Sequence, residues 1–312
     1  MSADNAAGSS GLRIGLIQMS CVDDVSKNLN TAEEAVRAAA AKSAQAICLP
    51  ELFGTKYFCQ TEDSDQFDFA EQIPGPTTKR FSAVARELGV VLIVPVFERR
   101  AAGIYHNSAV VLDATGETCG VYRKMHIPDD PQFYEKYYFT PGDQGYLVFD
   151  TAFGRISVLI CWDQWYPEAA RLAALSGAQV IFYPTAIGWT ANEPVRVRQQ
   201  QQDAWRTVQR SHAIANSVYV ASINRVGKEG IGAGTDSLEF WGQSFVCSPT
   251  GSVLAEATGA GDEVVIADCN FDVIEEQRRN WPFLRDRRVD SYSELTERYI
   301  DLDPSRSGHS KI

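Results

Sequence analysis

The sequence predicts an α/β protein in which mixed sheets are flanked by helices. Three observations carry that expectation. Strand-like runs rich in β-branched and apolar residues recur from one end of the chain to the other. Helical segments separate several of them, whereas turn sequences join others directly. Most runs are nearly continuous in apolar character, so each needs cover on two faces, and the helices in turn need a surface to cover.

In order, the strand runs are Leu12–Met19, Ala46–Pro50, Val90–Glu98, His106–Asp113, Arg155–Trp162, Gln179–Thr185, Val218–Asn224, Gln243–Pro249 and Glu263–Cys269. Helices are expected over Asn28–Ala41, Thr78–Leu88, Tyr166–Ser176 and Gln199–Asn216, where alanine and charged residues dominate. Asp113–Gly116 and Pro249–Ser252 read as hairpin turns. No linker divides the chain, so a single domain is expected over residues 12–300. Small polar residues over 1–11 predict a disordered start, and the polar stretch 301–312 predicts a frayed tail.

With 312 residues, 45% hydrophobic and 22% charged, the composition is that of an ordinary globular protein. A formal net charge of −11 would repel a phosphate backbone and argues against nucleic acid as a partner. The start of the chain shows no apolar core of a secretory signal, and no apolar run approaches the length of a membrane span. A cytoplasmic protein is therefore expected. The seven cysteines are scattered and never spaced as CxxC, which disfavours a disulfide framework or a zinc site. No metal or other cofactor is expected. The glycine run Gly230, Gly232, Gly234 has no apolar strand before it and no helix after it, so it reads as a flexible loop and not a dinucleotide site.

Chemistry concentrates at three places. Cys161 follows the apolar run RISVLI and precedes a helix opened by Pro167 and Glu168. A cysteine at such a junction is expected to have its thiolate favoured by backbone N–H groups and the helix dipole. A lone cysteine after an apolar run is most often only a packed core residue. Glu51, directly after AICLP, and Lys124, at the end of VYRK, occupy the same kind of place, where α/β folds keep their sites. Together they make a coherent set, because a thiol nucleophile needs a base and an acyl-transfer transition state needs a donor for its oxyanion.

The segments PELF around Glu51, YRKMHIP around Lys124 and LICWDQWYPEAARLAALSGA around Cys161 resemble the three signature segments of the nitrilase superfamily. The resemblance runs from Leu12 to Cys269. It implies a four-layer αββα sandwich, a cysteine-dependent carbon–nitrogen hydrolase, and subunits that pair into a homo-oligomer built from dimers. It also implies a second glutamate after the lysine segment. Glu135 in FYEKYYFTPGD fits best, as an orienting group for Lys124 and the substrate amide, with Glu117 and Asp143 as weaker fits.

Within the superfamily, CWDQWYPEAAR, FYPTAIG, EFWGQSF and NWPFLRDRRVDSY resemble the N-carbamoylputrescine amidase subgroup. That resemblance implies hydrolysis of a small cationic carbamoyl-diamine to the diamine, carbon dioxide and ammonia. A distal ammonium needs an anionic partner, since burying it unpaired is costly. Glu193 is the first candidate, ahead of Asp236 and Glu239. Trp162, Tyr57 and His126 complete the substrate-binding candidates, although the four histidines show no ligand spacing and His126 also suits a structural hydrogen bond. Trp165, Tyr166 and Trp189 could share the pocket wall with the core. The main alternative is a β-ureidopropionase or ω-amidase acting on a carboxylate substrate, which would need a cationic pocket.

Overall fold

The structure, a computed structural model, describes residues 11–230 and 237–300. Residues 1–10, the tail 301–312, Gly232, Gly234 and Asp236 lie outside the described residues. The first strand begins at Gly11, paired with Asn270, one residue ahead of the expected domain boundary.

Two six-stranded sheets form the centre. In the first, β1 (Gly11–Gln18), β2 (Ala46–Cys48) and β3 (Val91–Ala101) run parallel, and β4 (Ile104–Leu112) and β5 (Thr118–Arg123) continue as an antiparallel meander. In the second, β7 (Gly154–Val158), β8 (Val180–Thr185) and β10 (Tyr219–Asn224) run parallel, with the short β6 (Val148–Thr151) antiparallel at one edge. The other edge is built by β13 (Phe245–Cys247) and β14 (Val253–Glu256), and the last strand, β15 (Glu263–Asn270), returns to pair antiparallel with β1. A small third sheet joins β9 (Gly188–Thr190), β11 (Val226–Gly230) and β12 (Ser237–Trp241).

Side-chain alternation explains the layers. Ile14, Leu16, Val91, Ile93, Ala109 and Val111 face the second sheet, meeting Val158, Val180 and Phe182 in one core. Their neighbours Ile47, Leu92, Val94, Val110 and Leu112 face the other way, against Ala32 and Val36 of α1 (Val25–Ala41) and Phe81 and Val84 of α2 (Pro76–Leu88). A two-residue period with both faces buried demands two covering layers, which the helices and the second sheet supply. After the one-turn α3 (Glu135–Tyr138), helices α4 (Pro167–Leu175) and α5 (Val195–Asn216) cover the second sheet through Ala169, Ala170, Ala173, Trp205 and Ala213. The result is helix, sheet, sheet, helix: the αββα sandwich. A final helix, α6 (Asp272–Asn280), follows β15.

All nine expected strands and four expected helices are present, with helix starts displaced. Asp24 accepts from the Lys27 amide and starts α1 at Val25, three residues before the alanine-rich stretch. The small third sheet departs from expectation. Gly230 ends β11, paired with Ser237 across the glycine-rich connection. A strand does precede the glycines, and its sequence VGKEG is too polar to announce itself by hydrophobicity.

Candidate active site

Each signature segment follows the end of a strand, two of them in the parallel cores and one in the antiparallel meander. Glu51 comes three residues after β2, Lys124 directly after β5, and Cys161 three residues after β7. Such ends are where α/β sheets leave backbone and side chains free to converge. The extended pairing continues briefly past β7, since the Leu159 amide donates to the Phe182 carbonyl at 2.9 Å. The chain then turns sharply. Cys161 has φ of +44°, a left-handed conformation unusual for a residue with a side chain, and it opens a single 3₁₀ turn that precedes α4.

The turn is held by Asp163, which is fully buried. Its Oδ2 accepts from the Ile160 amide at 2.9 Å and the Tyr122 hydroxyl at 2.7 Å, while Oδ1 accepts from the His126 amide at 3.0 Å. The His126 ring joins it through Nδ1 at 2.7 Å and stacks on Tyr166 at 3.6 Å. His126 is thereby engaged in tying the lysine segment to the nucleophile turn. Gln164 is likewise buried, its Oε1 accepting from Trp205 and Gln209 of α5. Asp163 and Gln164 escaped the sequence reading, although two polar residues inside the aromatic run CWDQW were the available signal.

Four of the expected residues share one closed cluster. Lys124 Nζ donates to Glu51 Oε1 at 2.8 Å and to Glu135 Oε2 at 2.6 Å, and the Tyr57 hydroxyl donates to Glu135 Oε1 at 2.7 Å. None of the four is exposed, and the adjoining Cys161 is 5% exposed. Glu135 is thus bonded to Lys124 across the site and not to its neighbour Lys136. Of the weaker fits, Glu117 is exposed and Asp143 pairs with Arg100. A further residue, Asn107 of β4, donates from Nδ2 to Glu51 Oε1 at 2.7 Å. Glu51 Oε2 is buried with no hydrogen-bond partner among the described residues.

Two acids share one cation here, and the ionisation follows from that imbalance. Burial alone would drive the Lys124 pKa down, but Glu135 and Glu51 outweigh it and the ammonium holds its proton beyond the usual lysine range. Burial, with Glu51 adding to it and Lys124 opposing, pushes Glu135 up to about 7. Burial and the Glu135 charge keep the Tyr57 hydroxyl protonated as a donor. The Cys161 thiol is pushed well above its ordinary value by burial first and by Glu51 next, with Lys124 offsetting only part. This corrects the expectation of a helix-stabilised thiolate. The 3₁₀ turn separates Cys161 from the start of α4, so the dipole acts at a distance while desolvation acts directly. Burial thus favours the neutral Cys161 thiol over the thiolate.

A model of the carbon-nitrogen hydrolase family matches residues 13–279. The chain belongs to that family. It is 46% identical to an N-carbamoylputrescine amidase of Solanum lycopersicum over 285 residues, which is 90% of this chain and 94% of that one. It is also similar to a citrullinase of Francisella tularensis, 39% identical over 92% of this chain and 99% of the other. Among solved structures, a carbon-nitrogen hydrolase from Helicobacter pylori G27 superposes with a TM-score of 0.90 at 44% identity, covering 93% of this chain and all of that one.

The remaining candidates in this carbon-nitrogen hydrolase make no hydrogen bond to the Glu51, Lys124 and Glu135 cluster among the described residues. Trp162 is half-buried next to Cys161. Glu193 sits half-buried between β9 and α5, accepting from Gln201 at 2.5 Å. Glu239 is already paired, with Arg198 at 3.3 Å and Lys228 at 3.9 Å, so it has less capacity for a substrate cation. Trp189 packs on Trp241 and under Arg198. No helix among the described residues is long and apolar enough to cross a membrane.

Proposed function

We propose that this carbon-nitrogen hydrolase converts N-carbamoylputrescine and water to putrescine, carbon dioxide and ammonia. The observation that carries the reading is the charge arrangement at and around the site. Lys124, Arg225 and Arg198 are each bonded to a carboxylate, whereas Glu193 has no cation partner among the described residues. Among these groups Glu193 alone keeps an unpaired charge, which favours a substrate ammonium over a substrate carboxylate. The likeness to plant N-carbamoylputrescine amidases supports the same substrate.

In the proposed reaction, Glu51 takes the Cys161 proton through its unpartnered Oε2, and the sulfur attacks the ureido carbon. Lys124 and the Trp162 backbone N–H stabilise the oxyanion, while Glu135 and Tyr57 hold Lys124 and the amide in place. Glu51 returns the proton to the departing ammonia, leaving an N-alkyl thiocarbamate on Cys161. Water, deprotonated by Glu51, then cleaves the thioester bond and regenerates the thiol. The carbamic acid released decomposes to the amine and carbon dioxide.

Likeness to a citrullinase favours one second reading, since citrulline carries the same terminal ureido group but ends in a zwitterion. Ammonia release from N-carbamoylputrescine, L-citrulline and N-carbamoyl-β-alanine separates the cases. Highest kcat/KM for the diamine derivative is the expected result, and a preference for N-carbamoyl-β-alanine would reverse the charge argument.

The protein is also proposed to self-associate. Large apolar side chains stand exposed along the end of the chain, Val289 at 69%, Leu295 at 66% and Tyr299 at 75%, with Leu172 and Leu175 of α4 also exposed. Light scattering after size exclusion checks this, a monomer being the contrary outcome.

A further inference from the structure

The Glu51 carboxylate is asymmetric. Oε1 receives two donors, Lys124 Nζ at 2.8 Å and Asn107 Nδ2 at 2.7 Å, while Oε2 receives none. Lys124 alone would not enforce that asymmetry. An ammonium is a compact charge with rotatable donors, and it can bond either oxygen or lie between both. A second donor fixed on a rigid element selects one oxygen.

Asn107 meets that description. It lies in β4, opposite Phe97 of β3, and is wholly buried. Its carbonyl accepts the Lys124 amide at 2.9 Å, one step past the end of the β4–β5 ladder. One residue therefore sets the backbone position of the lysine and the side-chain position of the glutamate. The amide can face Glu51 only through Nδ2, because Oδ1 would oppose the carboxylate charge. Oδ1 in consequence is buried without a partner. A buried carbonyl left unsatisfied costs stability, so the amide is poorly explained as a packing choice.

We propose that Asn107 is a positioning residue of the catalytic base. It binds Glu51 Oε1 so that Oε2 stays free and aimed at the Cys161 proton. Without it, the carboxylate can swing to embrace Lys124 with both oxygens, and the thiol loses its acceptor. This inference rests on the proposed role of Glu51 as base, and the experiment separates the two.

The test reads thiol activation directly, as the second-order rate of Cys161 alkylation by iodoacetamide, followed by peptide mass analysis. Asn107→Leu and Asn107→Ser are each measured with and without Glu51→Gln, alongside kcat and KM for N-carbamoylputrescine in the variants that keep Glu51. Either substitution alone is expected to slow alkylation and kcat by ~10-fold or more, the effect of losing a hydrogen bond to a charged group. KM should stay within ~3-fold, because substrate contacts are untouched. Combined with Glu51→Gln, the same substitutions should slow alkylation no further, since no ionised base remains to be placed. Alkylation at the wild-type rate, or the same loss in both backgrounds, would overturn the proposal. Failure of both variants to fold would do so as well, by making Asn107 part of the fold and not of the base's placement. If Glu51→Gln by itself leaves alkylation unchanged, it is the base assignment that fails.

Discussion

The protein buries two charge clusters, and they are built on opposite principles. Arg225 and Glu229 form a balanced pair at 3.0 Å, both essentially unexposed. Arg225 also donates to the carbonyls of Leu52 and Thr55, and Glu229 accepts the Tyr57 amide at 2.6 Å. These three hydrogen bonds go to backbone of the turn that follows Glu51, which is how a pair stabilises a loop, and the Arg225 guanidinium also lies over the Phe240 ring at 5.5 Å. The Glu51, Lys124 and Glu135 cluster is unbalanced, two acids to one cation, and its contacts run between side chains that follow β2 and β5 and one from α3. Each cluster leaves one carboxylate oxygen without a hydrogen-bond partner among the described residues, Glu51 Oε2 here and Glu229 Oε1 there, so charge balance is what separates them. Burial of an ion pair therefore does not by itself mark a catalytic site, and it is the unbalanced cluster that is proposed to be catalytic.

That contrast can be broken by substitution. Glu51→Gln and Lys124→Ala should each lower kcat by at least ~10²-fold, the scale for a general base or an oxyanion donor. Steady-state kinetics on folded protein reads this, and near-normal turnover in either would erase the distinction. Arg225→Met should act on stability instead. Removing one partner leaves Glu229 buried alone, a loss of ~3–5 kcal/mol by the usual cost of an orphaned buried charge. Denaturant titration measures it, and an unchanged midpoint would mean the pair is dispensable.

Glu193 tests the acid outside both clusters. Glu193→Gln should raise KM for N-carbamoylputrescine by roughly 10-fold with a smaller effect on kcat, because remote contacts chiefly set ground-state binding. The preference over N-carbamoyl-β-alanine should narrow. Unchanged KM and selectivity would move the ammonium partner elsewhere. The smallest expected effect is in pH dependence. Glu135, pushed up to about 7, is ionised above that pH and protonated below it. Its ionised form holds Lys124 most strongly, so activity should rise with pH through about 7 and level off above. Glu135→Gln should lower activity and flatten that rise; a persistent limb would assign it to another group.

The fold was legible because most of its strands are apolar on both faces and its helices are rich in alanine. Strands β5, β6, β9, β11, β12 and β14 were not, being short or polar and stabilised by neighbours instead of by their own pattern. In the site, Glu51 and Lys124 were legible as charged groups past strand ends and Glu135 through the family resemblance, with Tyr57 a binding candidate, and the four stand together. Asn107 and Asp163 were missed. Each sits in a run whose neighbours dominate the reading, HNSAVVL as a strand and CWDQW as an aromatic cluster, and their importance lies in contacts to residues 56 and 37 positions away. The ionisation of Cys161 was misjudged for a related reason. Local sequence reveals a nearby helix, whereas burial by the whole fold decides the thiol.

The central claim is that Cys161, activated by Glu51, carries the ureido group covalently. The most direct test is to quench turnover of N-carbamoylputrescine with acid and locate the adduct by peptide mass analysis in the wild type and in Cys161→Ala. The account expects a substrate-minus-ammonia adduct on the Cys161 peptide, no adduct and no ammonia release in the variant, and unmodified Cys21, Cys48, Cys59, Cys119, Cys247 and Cys269. Ammonia released by Cys161→Ala, or the adduct found on another cysteine, would contradict it.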